Sequence, residues 1–95
     1  MDIQALSVLK TKFVAREVGD ELILVPLTNN VAQMNELFTL NETAKFIWEN
    51  LNENATVKGI EKLMTDAYSI DNETARNDIE TFLNQLEFFF TKNQL

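Results

Sequence analysis

The 95-residue chain contains no cysteine and no histidine, and only two glycines and one proline. Without cysteine there is no disulfide, thiol nucleophile or thiolate metal ligand. Without histidine there is no imidazole base. Gly19 and Gly59 stand too far apart to form a phosphate-cradling loop. Ser7 and Ser69 have no histidine to activate them. Carboxylates such as Asp78 and Glu80 are two residues apart, so on a helix they diverge. These absences argue against an enzyme and predict no catalytic residue, no metal and no cofactor. Long apolar runs are missing as well: Leu22-Ile23-Leu24-Val25 and Phe88-Phe89-Phe90 fall far short of the ~20 residues that span a bilayer. The opening residues Met1 to Leu6 lack the pattern of a secretory signal. A soluble cytoplasmic chain without a membrane partner is the expectation.

Positive charge is also scarce. Eight basic residues face fifteen acidic ones, a net charge of −7. The imbalance is concentrated in residues 40–95, where Lys45, Lys58, Lys62, Arg76 and Lys92 oppose ten acids. Such a surface repels polyanions. Apolar residues make up 45% of the chain, enough for one small core, and a domain of this size buries roughly 60–65% of its unfolded surface.

Residues 1–11 are weakly patterned and read as a loose lead-in to a domain over 12–90, with 91–95 a frayed end. The segment from Lys12 to Val18 is rich in strand formers. Gly19-Asp20 then provides a two-residue turn. Glu21 to Pro26 is apolar on both alternations, which predicts a central strand that ends at the proline. Asn29-Asn30 offers a second turn. A third, more polar strand over Val31 to Phe38 reads as an edge. After Thr39 the apolar period changes from two to 3.6. The first helix aligns Leu40, Ala44, Ile47, Trp48 and Leu51, with Thr39 and Asn41 as competing caps. The second starts at Thr56 and aligns Val57, Ile60, Leu63, Met64, Ala67 and Tyr68. The third is capped by Asp71 and aligns Ala75, Ile79, Phe82, Leu83 and Leu86. The predicted fold is α+β and winged-helix-like: a three-stranded antiparallel meander followed by three helices, β-β-β-α-α-α.

A winged helix raises the alternative of a DNA-binding regulator. The third helix, however, carries Arg76 against Glu73, Asp78, Glu80 and Glu87, so it would meet phosphate with net negative charge. No nucleic-acid partner is expected. Phe88, Phe89 and Phe90 cannot all face inward on one helix. An exposed one offers a surface for self-association, which keeps a homodimer, or a purely structural dimerisation module, among the readings. An open sheet edge beside an amphipathic helix also suits the addition of an extended peptide as a further strand.

The segment Phe13 to Val18 followed by Glu21 to Pro26 resembles the opening hairpin of the coenzyme PQQ synthesis protein D (PqqD) family. Leu40-Asn41-Glu42-Thr43-Ala44, with Ile47-Trp48 and Leu51, resembles that family's most recognisable motif. Ala55-Thr56-Val57, Tyr68-Ser69-Ile70-Asp71, Glu73-Thr74-Ala75, Asp78-Ile79 and Phe82-Leu83 continue it in order. The resemblance spans residues 12–87 and departs at Phe88-Phe89-Phe90, where the family often has a Gly-Leu turn. It implies a non-catalytic chaperone or adaptor that binds the leader of a ribosomally made precursor peptide. The implied partner is a radical S-adenosylmethionine enzyme, which holds the iron–sulfur chemistry itself. Carried onto this chain, the peptide-binding residues are Gln33, Met34, Asn35, Glu36, Leu37 and Phe38 on the third strand. On the third helix they are Arg76, Ile79, Phe82 and Leu83, with Leu86 behind. Asp78, Glu80 and Glu87 on that helix would favour leaders carrying lysine or arginine.

Overall fold

Gly19 turns the chain back on itself with φ of 63°, a left-handed conformation that glycine adopts without steric cost. A methyl group there would touch nothing, so the requirement is conformational. The Gly19-Asp20 turn joins β1 (Phe13–Val18) to β2 (Glu21–Thr28) in antiparallel register, from Val18↔Glu21 to Phe13↔Pro26. The structure, a computed structural model, describes residues 2–28, 31–32 and 38–92. β2 is the central strand: β1 pairs on one side, and β3 (Val31–Ala32) and β4 (Phe38–Leu40) pair on the other. Three helices follow, α2 (Glu42–Glu49), α3 (Val57–Ala67) and α4 (Asn72–Lys92).

Three expectations about the sheet and its approach need correction. The strand does not end at Pro26 but continues to Thr28. The third strand is not one regular strand. Leu24 pairs with Phe38 and Leu27 with Ala32, so two residues of β2 stand where five residues of the chain intervene. Pro26 supplies the physical reason. Val18↔Glu21 closes a two-residue turn and is therefore a hydrogen-bonded pair, and such pairs alternate along an antiparallel ladder. Counting in twos, Glu21, Ile23 and Val25 bond toward β1, while Leu22, Leu24 and position 26 face the third strand. Proline has no N–H to offer there. Finally, the lead-in is not loose, and among the described residues the α-helix count rises to four. Ile3–Val8 forms α1, capped by Asp2, whose carboxylate accepts from the Ala5 N–H at 2.7 Å. A 3₁₀ turn over Leu9–Lys12 then leads into β1.

That N-terminal segment is docked by its side chains. Leu6 is fully buried. Lys10 Nζ donates to the carbonyls of Trp48 at 2.8 Å and Leu51 at 3.0 Å; the Trp48 carbonyl also accepts from the Leu51 N–H at 3.1 Å, so the ammonium adds a second donor at the end of α2. The same ammonium lies 5.1 Å from the centre of the Trp48 ring. Burial pushes its pKa below the ordinary value, against the opposing pull of Glu49.

Each later helix begins at a side-chain cap. Asn41 rather than Thr39 caps α2, accepting from Ala44 N at 2.9 Å, because Thr39 is part of β4. Thr56 accepts from Gly59 N at 2.9 Å, and Asp71 accepts from Thr74 N at 2.8 Å. The expected inward stripes hold in part: Ile47, Trp48, Leu51, Ala75, Ile79, Phe82 and Leu86 are buried, but Leu40 belongs to β4 and Leu51 follows the end of α2, and Ala44 and Leu83 are only half-buried. On α3 the stripe differs: Leu63 and Ala67 face solvent, and Glu61 turns inward beside Ile60 and Met64. Glu61 tolerates burial because Arg76 of α4 reaches it through two hydrogen bonds, 3.3 Å from Nε and 3.2 Å from Nη2. A buried charge needs such a partner.

Candidate functional site

β4 is the outermost strand on its side of the sheet; among the described residues nothing pairs with its far edge. Its register with β2 sets what that edge offers. Leu40 and Phe38 pair with Leu22 and Leu24, so by the alternation above their backbone groups bond inward. Thr39 falls between them, and its N–H and C=O point outward. The side chains alternate accordingly: Leu40 is buried, Phe38 half-buried against the helices, and Thr39 exposed.

An aromatic wall stands beside this edge. The Phe38 ring meets Phe82 edge-on at 6.3 Å and Phe89 at 5.1 Å. Phe89 in turn stacks on Phe13 at 5.7 Å. Phe90 is buried against Phe13, and Phe88 is exposed, so the Phe88-Phe89-Phe90 run divides between surface, flank and core as a continuous helix requires. Beyond Leu40 the wall continues into a cavity of about 190 Å³ between the start of α2 and the middle of α4. Asn41, Thr43, Ala44 and Ile47 line it from one side, and Asp78, Thr81, Phe82 and Gln85 from the other.

The residues nominated from the sequence separate in space. Gln33, Met34, Asn35, Glu36 and Leu37 lie outside the described residues. Phe38 and Phe82 meet directly. Ile79 is wholly buried, in the same helix stripe as Phe82. Arg76 faces α3, where the Glu61 carboxylate, by hydrogen bond and by charge, raises its pKa further. Leu83 points to another flank of α4, into a concavity shared with Asp2, Ile3, Val57 and Glu80. Glu80 is therefore on the side away from β4, whereas Asp78 is on the side facing it. The face of α4 on this side is Asp78, Phe82, Gln85 and Phe89: Phe82 and Phe89 meet Phe38 of the edge strand, and Asp78 and Gln85 line the cavity beyond it. Its spacing is helical and was legible, but the more apolar stripe through Ile79 and Leu86 outweighed it. Thr39 was missed because its role depends on strand register, which needs the pairing partners.

Together these features define a small α+β domain with one open, walled sheet edge and no cluster of metal-ligating residues among the described residues. The family model for coenzyme PQQ synthesis protein D (PqqD) matches residues 21–87, and the chain belongs to that family. It is also similar to the solved structure of TbiB1 in complex with the TbiA(beta) leader peptide. That match has 28% identity and a TM-score of 0.65, and covers 80% of this chain and 83% of that one. A search of curated proteins returns no match.

Proposed function

We propose that this protein is a non-catalytic adaptor. It binds the leader of a ribosomally made precursor peptide by strand addition and presents it to a modifying enzyme of the radical S-adenosylmethionine class. The observation that carries the reading is the outward-facing backbone of Thr39 beside the wall of Phe38, Phe82 and Phe89. Backbone hydrogen bonds give register, and the wall gives apolar contact. Family membership and the leader bound to TbiB1 support the same reading. The leader would run along residues 33–40. Phe82 contributes contact directly, while Ile79 supports it from the core and Arg76 holds α4 to α3. The chain needs no cofactor for this role, and a chain without cysteine suits a reducing cytoplasm. No helix among the described residues is long and apolar enough to cross a membrane.

Thr39→Pro tests the site, because it removes the outward N–H of β4 without touching the bonds of Phe38 and Leu40 to β2. Thr39→Ala controls for the side chain. With a leader from a precursor encoded in the same gene neighbourhood, the proline variant should bind at least about tenfold more weakly, the loss of roughly one good hydrogen bond and its register. The alanine variant should bind normally. Amide shifts confined to β1 on adding that leader would place the peptide on the opposite edge and refute the site.

A further inference from the structure

The cavity beyond Leu40 has an apolar floor and one charge on its wall. Ala44, Ile47 and Phe82 form the floor. Asp78 is half-exposed and makes no ion pair among the described residues. The other polar lining groups are neutral. Asn41 accepts from the Ala44 N–H at 2.9 Å and from the Thr43 hydroxyl at 3.2 Å, so both serve the cap of α2. We propose that this cavity takes one lysine or arginine side chain of the bound leader, and that Asp78 is the residue that selects it. The proposal rests on the leader-binding reading above and specifies the ligand at one end of that site.

Two physical arguments converge on it. The first is chemical. A volume of about 190 Å³ suits one long side chain. An apolar floor with a carboxylate on the wall matches a methylene stem ending in a cation. The second is register. A leader residue paired with the outward backbone of Thr39 points its side chain to the face that Thr39 shares, away from α4. Its two neighbours stand opposite Phe38 and Leu40 and point toward α4. The neighbour opposite Leu40 is next to Asn41, at the mouth of the cavity. The neighbour opposite Phe38 meets the wall of Phe82 and Phe89. In an antiparallel leader the residue opposite Leu40 comes first, so the recognised triplet reads basic–any–apolar from N to C. The net charge of −7 adds long-range attraction for such a segment, which salt weakens.

The test uses a phage-displayed library of random 12-residue peptides, selected in parallel on the wild-type protein and on Asp78→Asn. Selected peptides are synthesised and titrated into ¹⁵N-labelled protein. The expected result is that peptides shifting the amides of Phe38 to Leu40 carry lysine or arginine two residues before an apolar residue. Selection on Asp78→Asn should keep the apolar preference and lose the basic one. Replacing that lysine by norleucine should raise Kd about fivefold on the wild type, the scale of one partly exposed ion pair, and leave Kd on Asp78→Asn unchanged. Peptides that shift the same amides without a basic preference would overturn the cavity assignment and leave the leader-binding site standing. A basic preference that survives Asp78→Asn would do the same. Selected peptides that leave those amides unmoved would overturn both.

Discussion

β1 and α4 meet the same core from opposite extremes. Of the six residues of β1, Phe13 alone is buried; the rest of the strand is held by its ladder to β2 and by the ion pair of Glu17 with Lys45 at 3.2 Å. α4 buries Ala75, Ile79, Phe82, Leu86 and Phe90, at spacings of three or four residues through most of its length. The contrast explains why two open sheet edges are not equivalent. Along β1, aromatic rings gather only at Phe13, where Trp48, Phe89 and Phe90 pack, and the residues from Val14 to Val18 are exposed. The outer edge of β4 exposes backbone at Thr39 beside side chains that α4 holds in fixed positions. An unpaired strand becomes a recognition site when a rigid wall accompanies it.

The comparison breaks most easily at the end of α4. Phe90→Ala removes a ring that is 1% exposed and packs 5.0 Å from Phe13, and should cost about 3–5 kcal/mol. A denaturant midpoint that hardly moves would show that the core face of α4 stops short of its last turn. Leu6→Ala comes next. Leu6 is 0% exposed on α1, and its truncation should cost about 2–4 kcal/mol. A neutral result would return the first residues to the status of a loose lead-in.

The α+β class and much of the core were legible because they follow from local chemistry. Gly19-Asp20 marked a turn, Thr56 and Asp71 marked caps, and a change of apolar period after Thr39 marked the passage from strand to helix. Trp48 was expected in the core and is 5% exposed. The misses required partners distant in sequence. Leu6 is buried only because the rest of the core is there to receive it. Glu61 turns inward only because Arg76, fifteen residues on, neutralises it. The split between β3 and β4 depends on which side of β2 the missing N–H of Pro26 faces. The site followed the same division: the element was legible, but choosing the face of α4 that borders the edge over the more apolar stripe through Ile79 and Leu86 required the position of β4.

A smaller effect should appear at the start of α4 in acid. Asp71 accepts from the backbone and side chain of Thr74, and these bonds hold its pKa below the ordinary 3.8. A carboxyl whose pKa is depressed in the folded state contributes stability above its unfolded pKa and loses it as pH falls through the folded one. Asp71→Asn keeps a capping oxygen but has no proton to gain. From about pH 4 downward, the thermal midpoint of the wild type should therefore fall relative to that of Asp71→Asn. Parallel midpoint curves through that range would show that the cap carboxylate adds no charge-dependent stability.

The smallest effect is expected on β1. Val14 and Val18 are 44% and 53% exposed, and replacing either by threonine keeps the β-branched shape that suits a strand. One methyl group becomes a hydroxyl that solvent can reach, so each change should fall within about 0.5 kcal/mol. Both variants should be unfolded at two protein concentrations a hundredfold apart. A loss above about 1.5 kcal/mol at both concentrations would mean that β1 is covered by this chain's own core, and its contrast with α4 would collapse. A loss that appears only at the higher concentration would mean that a second copy covers the strand, a different surface from the exposed phenylalanine on which the sequence placed self-association. Small, concentration-independent changes would leave β1 as a strand anchored by Phe13 and its ladder, and keep the walled edge at Thr39 as the distinctive one.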